Sequence, residues 1–127
     1  MPGKHLYEYA VIRVVPRVER EEFLNVGLVL FCKQQRYLKT LFLLDKDRLQ
    51  ALYPALDMEE VQQYITAFTK VSEGAKDGGA IAKLDLPSRF RWLTATRSTV
   101  IQSSKIHPGL CADLDAALQK LFVQLVL

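Results

Sequence analysis

The side chains with the most chemical potential lie in one segment of the second half of the chain. Ser98 and Thr99 offer hydroxyl groups, Gln102 an amide and His107 an imidazole, with Arg97 beside them. Nucleophilic catalysis needs a nucleophile, a base and an orienting group within hydrogen-bond reach, and no Gly-x-Ser-x-Gly turn surrounds the serine. We therefore retain an enzyme or a nucleotide-binding protein only as the alternative function of this chain.

Metal and cofactor chemistry finds little support in the residue types. His5 and His107 are the only histidines, and Cys32 and Cys111 are the only cysteines. Their spacing matches no zinc site, and two cysteines do not make a secreted disulfide framework. We expect no metal, no cofactor, no catalytic residue and two reduced thiols.

Arginine and aromatic residues cluster around the only tryptophan: Arg89, Phe90, Arg91, Trp92 and Arg97. Arginine and tryptophan are the residue types most enriched at binding hot spots. One interpretation is a recognition surface with Arg91, Arg97 and His107 as the hot spot and a largely buried Trp92. The other is a core tryptophan beside ion-paired arginines, and the pattern leaves both open.

A second polar motif lies near the start of the chain. The motif with Glu22 and Asn25 interrupts apolar strands, and polar groups are costly to bury unpaired, so we predict that one of the two lies within direct or water-bridged contact of Arg97. Asn25 and Gly27 accept positive φ readily, which predicts a turn or bulge there. The charged loop Arg17–Glu22 and the segment Arg97–His107 would then frame one surface.

The elements that position these residues follow from hydrophobic periodicity. The strands are predicted at Leu6–Val15, Leu28–Lys33 and Tyr37–Leu44, with short ones near Phe90 and Val100. Both faces of the first strand are apolar, which predicts an interior position in the sheet. Ser103–Gly109 is predicted to be a loop.

Helices are predicted mainly in the second half. Asp57 precedes an apolar stripe over Met58–Ser72, Asp113 precedes Leu114–Leu125, and a short helix covers Lys46–Tyr53. Strands first and main helices later indicate an α+β fold. We expect one domain over residues 1–127, a mainly antiparallel sheet covered by two principal helices.

Composition narrows the function classes. The 127 residues carry a net charge of +3, which argues against a dedicated nucleic-acid binder. No signal peptide opens the sequence, and no apolar run approaches the ~20 residues of a membrane span. These observations predict a cytoplasmic protein that does not cross a membrane.

Two motifs carry a resemblance to a known family. The first combines Tyr7-x-Tyr9-Ala10, Arg13-Val14-x-Pro16 and Glu22-Phe23-x-Asn25-Val26-Gly27; the second combines Arg89-Phe90-x-Trp92-Leu93-Thr94-Ala95, Arg97-Ser98-Thr99-x-x-Gln102 and His107-x-Gly109. From about Tyr7 to Val126 the chain resembles a bacterial domain-of-unknown-function family, DUF3037. The resemblance implies a small cytoplasmic protein without assigned activity. Members of the family are often encoded beside a small kinase-like protein of the toxin–antitoxin type. This gene arrangement implies a protein partner.

We therefore predict a non-catalytic protein-interaction or regulatory module, with a homodimer left open. The candidate binding residues are Arg91, Arg97, Ser98, Thr99, Gln102, His107, Glu22 and Asn25. A deep pocket that joins these side chains would favour the enzyme or nucleotide-binding alternative, whereas a flat apolar rim would favour association.

Overall fold

A computed structural model describes residues 3–97 and 99–127. It contains an antiparallel sheet of five strands: β1 (His5–Val14), β2 (Leu24–Cys32), β3 (Tyr37–Phe42), β4 (Ile101–Ser103) and β5 (His107–Cys111). The helices are α1 (Lys46–Leu52), α2 (Met58–Glu73), α3 (Leu86–Thr94) and α4 (Leu114–Leu125). The predicted α+β class and the antiparallel sheet are confirmed.

Strand β1 lies inside the sheet, as its two apolar faces predict. β2 pairs with one edge of it, and β4 and β5 share the other edge, so the order is β3–β2–β1 and then β4 with β5. Side chains alternate between the faces. Ile12 and Val14 pack into the core under α2 and α3, whereas Tyr7 and Val11 pack against α4.

Each α-helix begins at an aspartate whose carboxylate accepts a hydrogen bond from the backbone nitrogen three residues later: Asp45, Asp57, Asp85 and Asp113. The two predicted principal helices, α2 and α4, are confirmed. A further helix that was not predicted, α3, packs on the same face of the sheet as α2. Among the described residues, no helix has the length and apolar character needed to span a membrane.

The strand predicted near Phe90 is wrong, because this segment forms α3. Asp85 caps its first turn and Pro87 lies within that turn, where a missing N–H costs nothing. Phe90 and Leu93 are three residues apart and both are buried against the core. Arginine and aromatic residues alternate here, which mimics a strand, but the apolar pair at helical spacing determines the structure.

The loop predicted over Ser103–Gly109 is wrong at both ends, because Ser103 belongs to β4 and His107 to Gly109 belong to β5, and only residues 104–106 lie outside the strands. Ser104 bridges the two short strands: its Oγ accepts from the Val11 nitrogen at 2.9 Å, and its own nitrogen donates to the Val11 carbonyl at 2.8 Å. The serine side chain thereby replaces a regular backbone contact on the edge of β1. The turn-forming residue types of this segment hid the pairing.

A bulge in β2 shapes the region where β1 ends. Gly27 pairs with Ile12 and Asn25 pairs with Arg13, so Val26 is an extra residue opposite the Ile12–Arg13 step. The predicted turn or bulge over Asn25–Gly27 is confirmed. It lies inside the strand, so β2 begins at Leu24 and not at the predicted Leu28.

Candidate binding cleft around Arg13 and Arg97

A cleft of about 330 Å³ opens where the end of β1 meets the following loop and the segment after α3. We call it the arginine cleft, and its lining residues are Arg13, Val15, Val18, Glu21, Phe23, Arg97 and Gln102. Val18 and Glu21 of the loop after β1 thus lie on the same cleft as Arg97 and Gln102.

Arg13 is the central residue of the cleft. The strand pairing places it between Asn25 on β2 and Gln102 on β4. Its guanidinium carbon lies 4.0 Å from the centre of the Phe23 ring, a cation–π contact. The side chain forms no hydrogen bond or ion pair with the described residues, and its Nε is buried without a partner. Burial lowers the pKa of Arg13, yet arginine stays charged, so the cleft holds a cation that no described residue pairs with.

Arg97 enters the same cleft but is also tied to α3. Its guanidinium donates to the backbone carbonyls of Trp92, Leu93 and Ala95, the last two at 3.4 and 3.2 Å. It also lies over the Trp92 ring, 4.5 Å from its centre. Burial lowers the pKa of Arg97. Three of five N–H donors are used, so two have no acceptor among residues 3–97 and 99–127.

Among the described residues, Arg97 forms no direct hydrogen bond or ion pair with Glu22 or Asn25, so the direct form of the predicted contact is wrong, and the water-bridged form stays a prediction. Glu22 pairs with Arg20, and the Asn25 amide nitrogen donates to the Leu125 carbonyl at 3.0 Å. The bulge brings Asn25 next to Arg13 and the end of α4, where its Oδ1 is buried and has no hydrogen-bond partner among the described residues. The carboxylate on the cleft is that of Glu21, which adopts a left-handed backbone conformation with φ 57°.

Gln102 joins the cleft, and its neighbour Thr99 supports it. The Gln102 Nε2 donates to the Thr99 carbonyl at 3.0 Å, while the Thr99 hydroxyl donates to the Ile101 carbonyl at 2.8 Å. The Gln102 Oε1 accepts no side-chain hydrogen bond from the described residues. Ser98 lies outside the described residues.

Arg91 and His107 lie elsewhere. Arg91 is exposed on α3 and donates to the Ser88 hydroxyl at 3.1 Å. His107 is exposed on β5, and its ring centre lies 5.3 Å from that of Tyr9. Neither lines the cleft. The structure therefore brings Arg97 and Gln102 together but does not join Arg91 and His107 to them.

Arg13 is the residue that the candidate set lacks. Its signal is present in the sequence, because it is a lone cation between apolar residues in a strand predicted to be interior. Phe23 is likewise absent from the set, although its exposed ring supports the Arg13 guanidinium. A charged residue in a central strand is costly unless something pairs with it, which makes such a position a candidate site.

Metal-binding groups do not converge within residues 3–97 and 99–127, where no three potential ligand side chains are grouped around a common point. Cys32 and Cys111 are free thiols, and Cys32 is buried. Burial raises the pKa of the Cys111 thiol.

Comparison with known protein families finds a match over most of the chain. The family model described as "Protein of unknown function (DUF3037)" matches residues 9–126. The chain belongs to this family. The DUF3037 match spans β1 to α4 and so includes every residue that lines the arginine cleft. No curated protein and no solved structure matches the chain.

Proposed function

We propose that the protein is a non-catalytic interaction module that binds an acidic group of a partner protein in the arginine cleft. One observation carries the proposal: the half-buried Arg13 guanidinium has neither a hydrogen-bond acceptor nor a carboxylate partner among the described residues. An unpaired buried charge costs free energy in the isolated protein. A carboxylate or phosphate oxygen pair fits the planar guanidinium fork and removes that cost.

The surroundings of Arg13 suit a protein partner. Phe23 is 45% exposed beneath the guanidinium, so a partner segment finds an apolar surface next to the charge. Gln102 supplies an amide on the other side. Arginine beside an aromatic ring is the composition of binding hot spots. Glu21 on the rim disfavours anions that approach from its side, which would help select the partner's geometry.

The described lining of the cleft offers guanidinium and amide donors from Arg13, Arg97 and Gln102, which suit the binding of an acidic group. A nucleotide-binding protein is the alternative, because two arginines suit phosphate as well as carboxylate. The volume of about 330 Å³ is at the low end of the ~300–1,000 Å³ of small-molecule sites. The more specific form of the proposal is a regulatory module in a bacterial cytoplasm with a small kinase-like partner of the toxin–antitoxin type.

The substitution Arg13→Met tests the proposal, because methionine keeps the apolar contact with Phe23 and removes the charge. Tagged wild-type and variant proteins serve as baits in an extract of the native host, and captured proteins are quantified by mass spectrometry and retested as purified pairs. We expect a partner whose capture falls at least about tenfold, equal to about 1.4 kcal/mol, in the variant. The melting temperature should stay equal or rise, because the guanidinium has no acceptor among the described residues to lose.

Arg91→Met is the matched control, because Arg91 is exposed and outside the cleft. It should leave capture of that partner unchanged. Arg97 is a poorer probe, since it also holds the end of α3. Capture that is equal for wild type and Arg13→Met would refute the proposal. Calorimetric ATP binding that requires Arg13, without any Arg13-dependent protein, would establish the nucleotide-binding alternative instead.

A further inference from the structure

Two leucines remain exposed on the sheet face that the first three helices partly cover. Leu6 and Leu110 are directly opposite each other on β1 and β5, so their side chains point to the same face. Their exposures are 61% and 62%. The helices cover Ala10, Ile12 and Val14 further along β1 but leave this end of the face open. An exposed cross-strand pair of this kind marks an interaction surface when apolar neighbours extend it.

A groove of about 460 Å³ extends the pair. Its lining residues are Leu6, Glu8, Phe31, Lys33, Gln34 and Pro108. We use the name leucine patch for Leu6, Phe31, Pro108 and Leu110 together with the flanking Glu8 and Lys33. Glu8 and Lys33 are both exposed, and neither forms an ion pair with another described residue. The patch therefore carries one available acid and one available base beside an apolar floor.

We propose that the leucine patch is the contact surface between two copies of this chain. A two-fold interface requires a surface that is complementary to itself. One acid and one base meet that requirement, because Glu8 of each copy can pair with Lys33 of the other while the leucines pack at the centre. The opposite signs favour a second copy over a strongly acidic or strongly basic partner.

The geometry of β5 favours packing through the face over extension of the sheet. Within the described parts of the chain, β5 pairs only with β1, so no described strand lies along its other edge. Pro108 lies in the middle of β5 and has no N–H to donate to an added strand. A strand from another protein that paired with β5 would lack the backbone hydrogen bond at Pro108. A second copy packed on the leucine patch needs no backbone hydrogen bond from β5. The patch lies on the opposite face from Arg13 and at the other end of β1, so it is independent of the arginine cleft.

Sedimentation velocity over a wide concentration series tests the dimer. The patch is small compared with the ~800 Å² per partner of standard interfaces, so we expect a weak dimer that forms at high protein concentration. Leu110→Ser should raise the dissociation constant at least about tenfold, because the change removes the contact from both copies. Val123→Ser is the matched control, since Val123 is 57% exposed on α4 away from the patch and should leave association unchanged.

A charge exchange tests the two-fold arrangement itself. In the proposed dimer, Glu8 and Lys33 form two symmetric pairs. The variant Glu8→Lys makes both pairs positive, and the variant Lys33→Glu makes both pairs negative. Each variant should therefore weaken the dimer. The double variant restores opposite charges and should recover wild-type association. Wild-type protein that stays monomeric at every concentration, or association that Leu110→Ser leaves intact, would overturn the proposal. Single variants that both weaken the dimer without recovery in the double would overturn the Glu8–Lys33 pairing.

Discussion

Arg89 Nη1 lies 3.1 Å from the carbonyl oxygen of Val71 and donates a hydrogen bond to it from α3. The same nitrogen donates to the Ser72 carbonyl at 3.2 Å. Both carbonyls belong to the last turn of α2, where helix carbonyls have few intrahelical partners. One side chain therefore closes the end of one helix and joins it to the next.

This contact predicts different roles for two neighbouring arginines. Arg89→Ala should lower the free energy of unfolding by about 1.5–3 kcal/mol, the range for hydrogen bonds to charged groups. Arg91→Ala, on the exposed side of the same helix, should change it by less than about 0.5 kcal/mol. Urea denaturation measures both. Equal losses for the two variants would show that the contact with α2 contributes little.

Close approach at Gly27 supports a second prediction. A Cβ atom there would lie 2.2 Å from Phe42 Cδ1 and 3.1 Å from the Leu41 carbonyl oxygen. Gly27→Ala should cost about 1–3 kcal/mol of stability through overpacking. Phe42→Leu in the alanine background should recover part of the loss, because it removes the ring that meets the new methyl group. Thermal denaturation of the single and double variants decides this, and an unchanged Tm for Gly27→Ala would contradict the prediction.

The third prediction concerns pH. The Tyr37 hydroxyl donates to Asp115 Oδ1 at 2.7 Å, and Lys39 Nζ lies 3.0 Å from the same oxygen. These hydrogen bonds, from Tyr37 first and then Lys39, hold the pKa of Asp115 below its usual range. A carboxyl whose pKa is lower in the folded state stabilises the protein above the unfolded pKa of ~4, and this contribution disappears as pH falls through the folded pKa.

The melting temperature of wild type should therefore exceed that of Asp115→Asn at pH 7, and the difference should vanish in acid. Thermal denaturation across about pH 2–8 measures this difference in melting temperature. The range extends to both sides of the ordinary carboxyl pKa of about 4. In a Tyr37→Phe, Lys39→Met background the same substitution should have a much smaller pH-dependent effect, because only the position of Asp115 in the first turn of α4 still favours its charged form. A difference that persists in the most acidic samples would mean that the carboxylate charge is not its source.

How far the sequence predicts this fold depends on the length of each pattern. α2 was predictable because Asp57 caps a stripe that repeats over four turns. The segment around Phe90 was not, because a few alternating residues fit a strand as well as a helix. β5 contains His107, Pro108 and Gly109, so no local preference indicates a strand, and pairing with β1 determines its conformation.

The residues of the arginine cleft also differ in how far the sequence predicts them. Arg97 and Gln102 are close in sequence, so local composition was enough to place them in one candidate site. Arg13 joins them only through the pairing of β1 with β4, and no local pattern reports a contact between residues so far apart along the chain. Asn25 likewise contacts Leu125, a pair separated by 100 positions.

The shared edge of β1 also sets an order of events during translation. β2, β3 and the first three helices leave the ribosome before β4 and β5, although β1 needs β2, β4 and β5 as its three neighbouring strands before both of its edges are paired. The bond from Val11 to Ser104 spans 93 positions, so a nascent chain that has reached α3 still has one unpaired edge on its first strand. Such an edge is a template for pairing with other chains. Fragments that end before β4 should therefore aggregate, and stable folding should begin only after β5 has emerged.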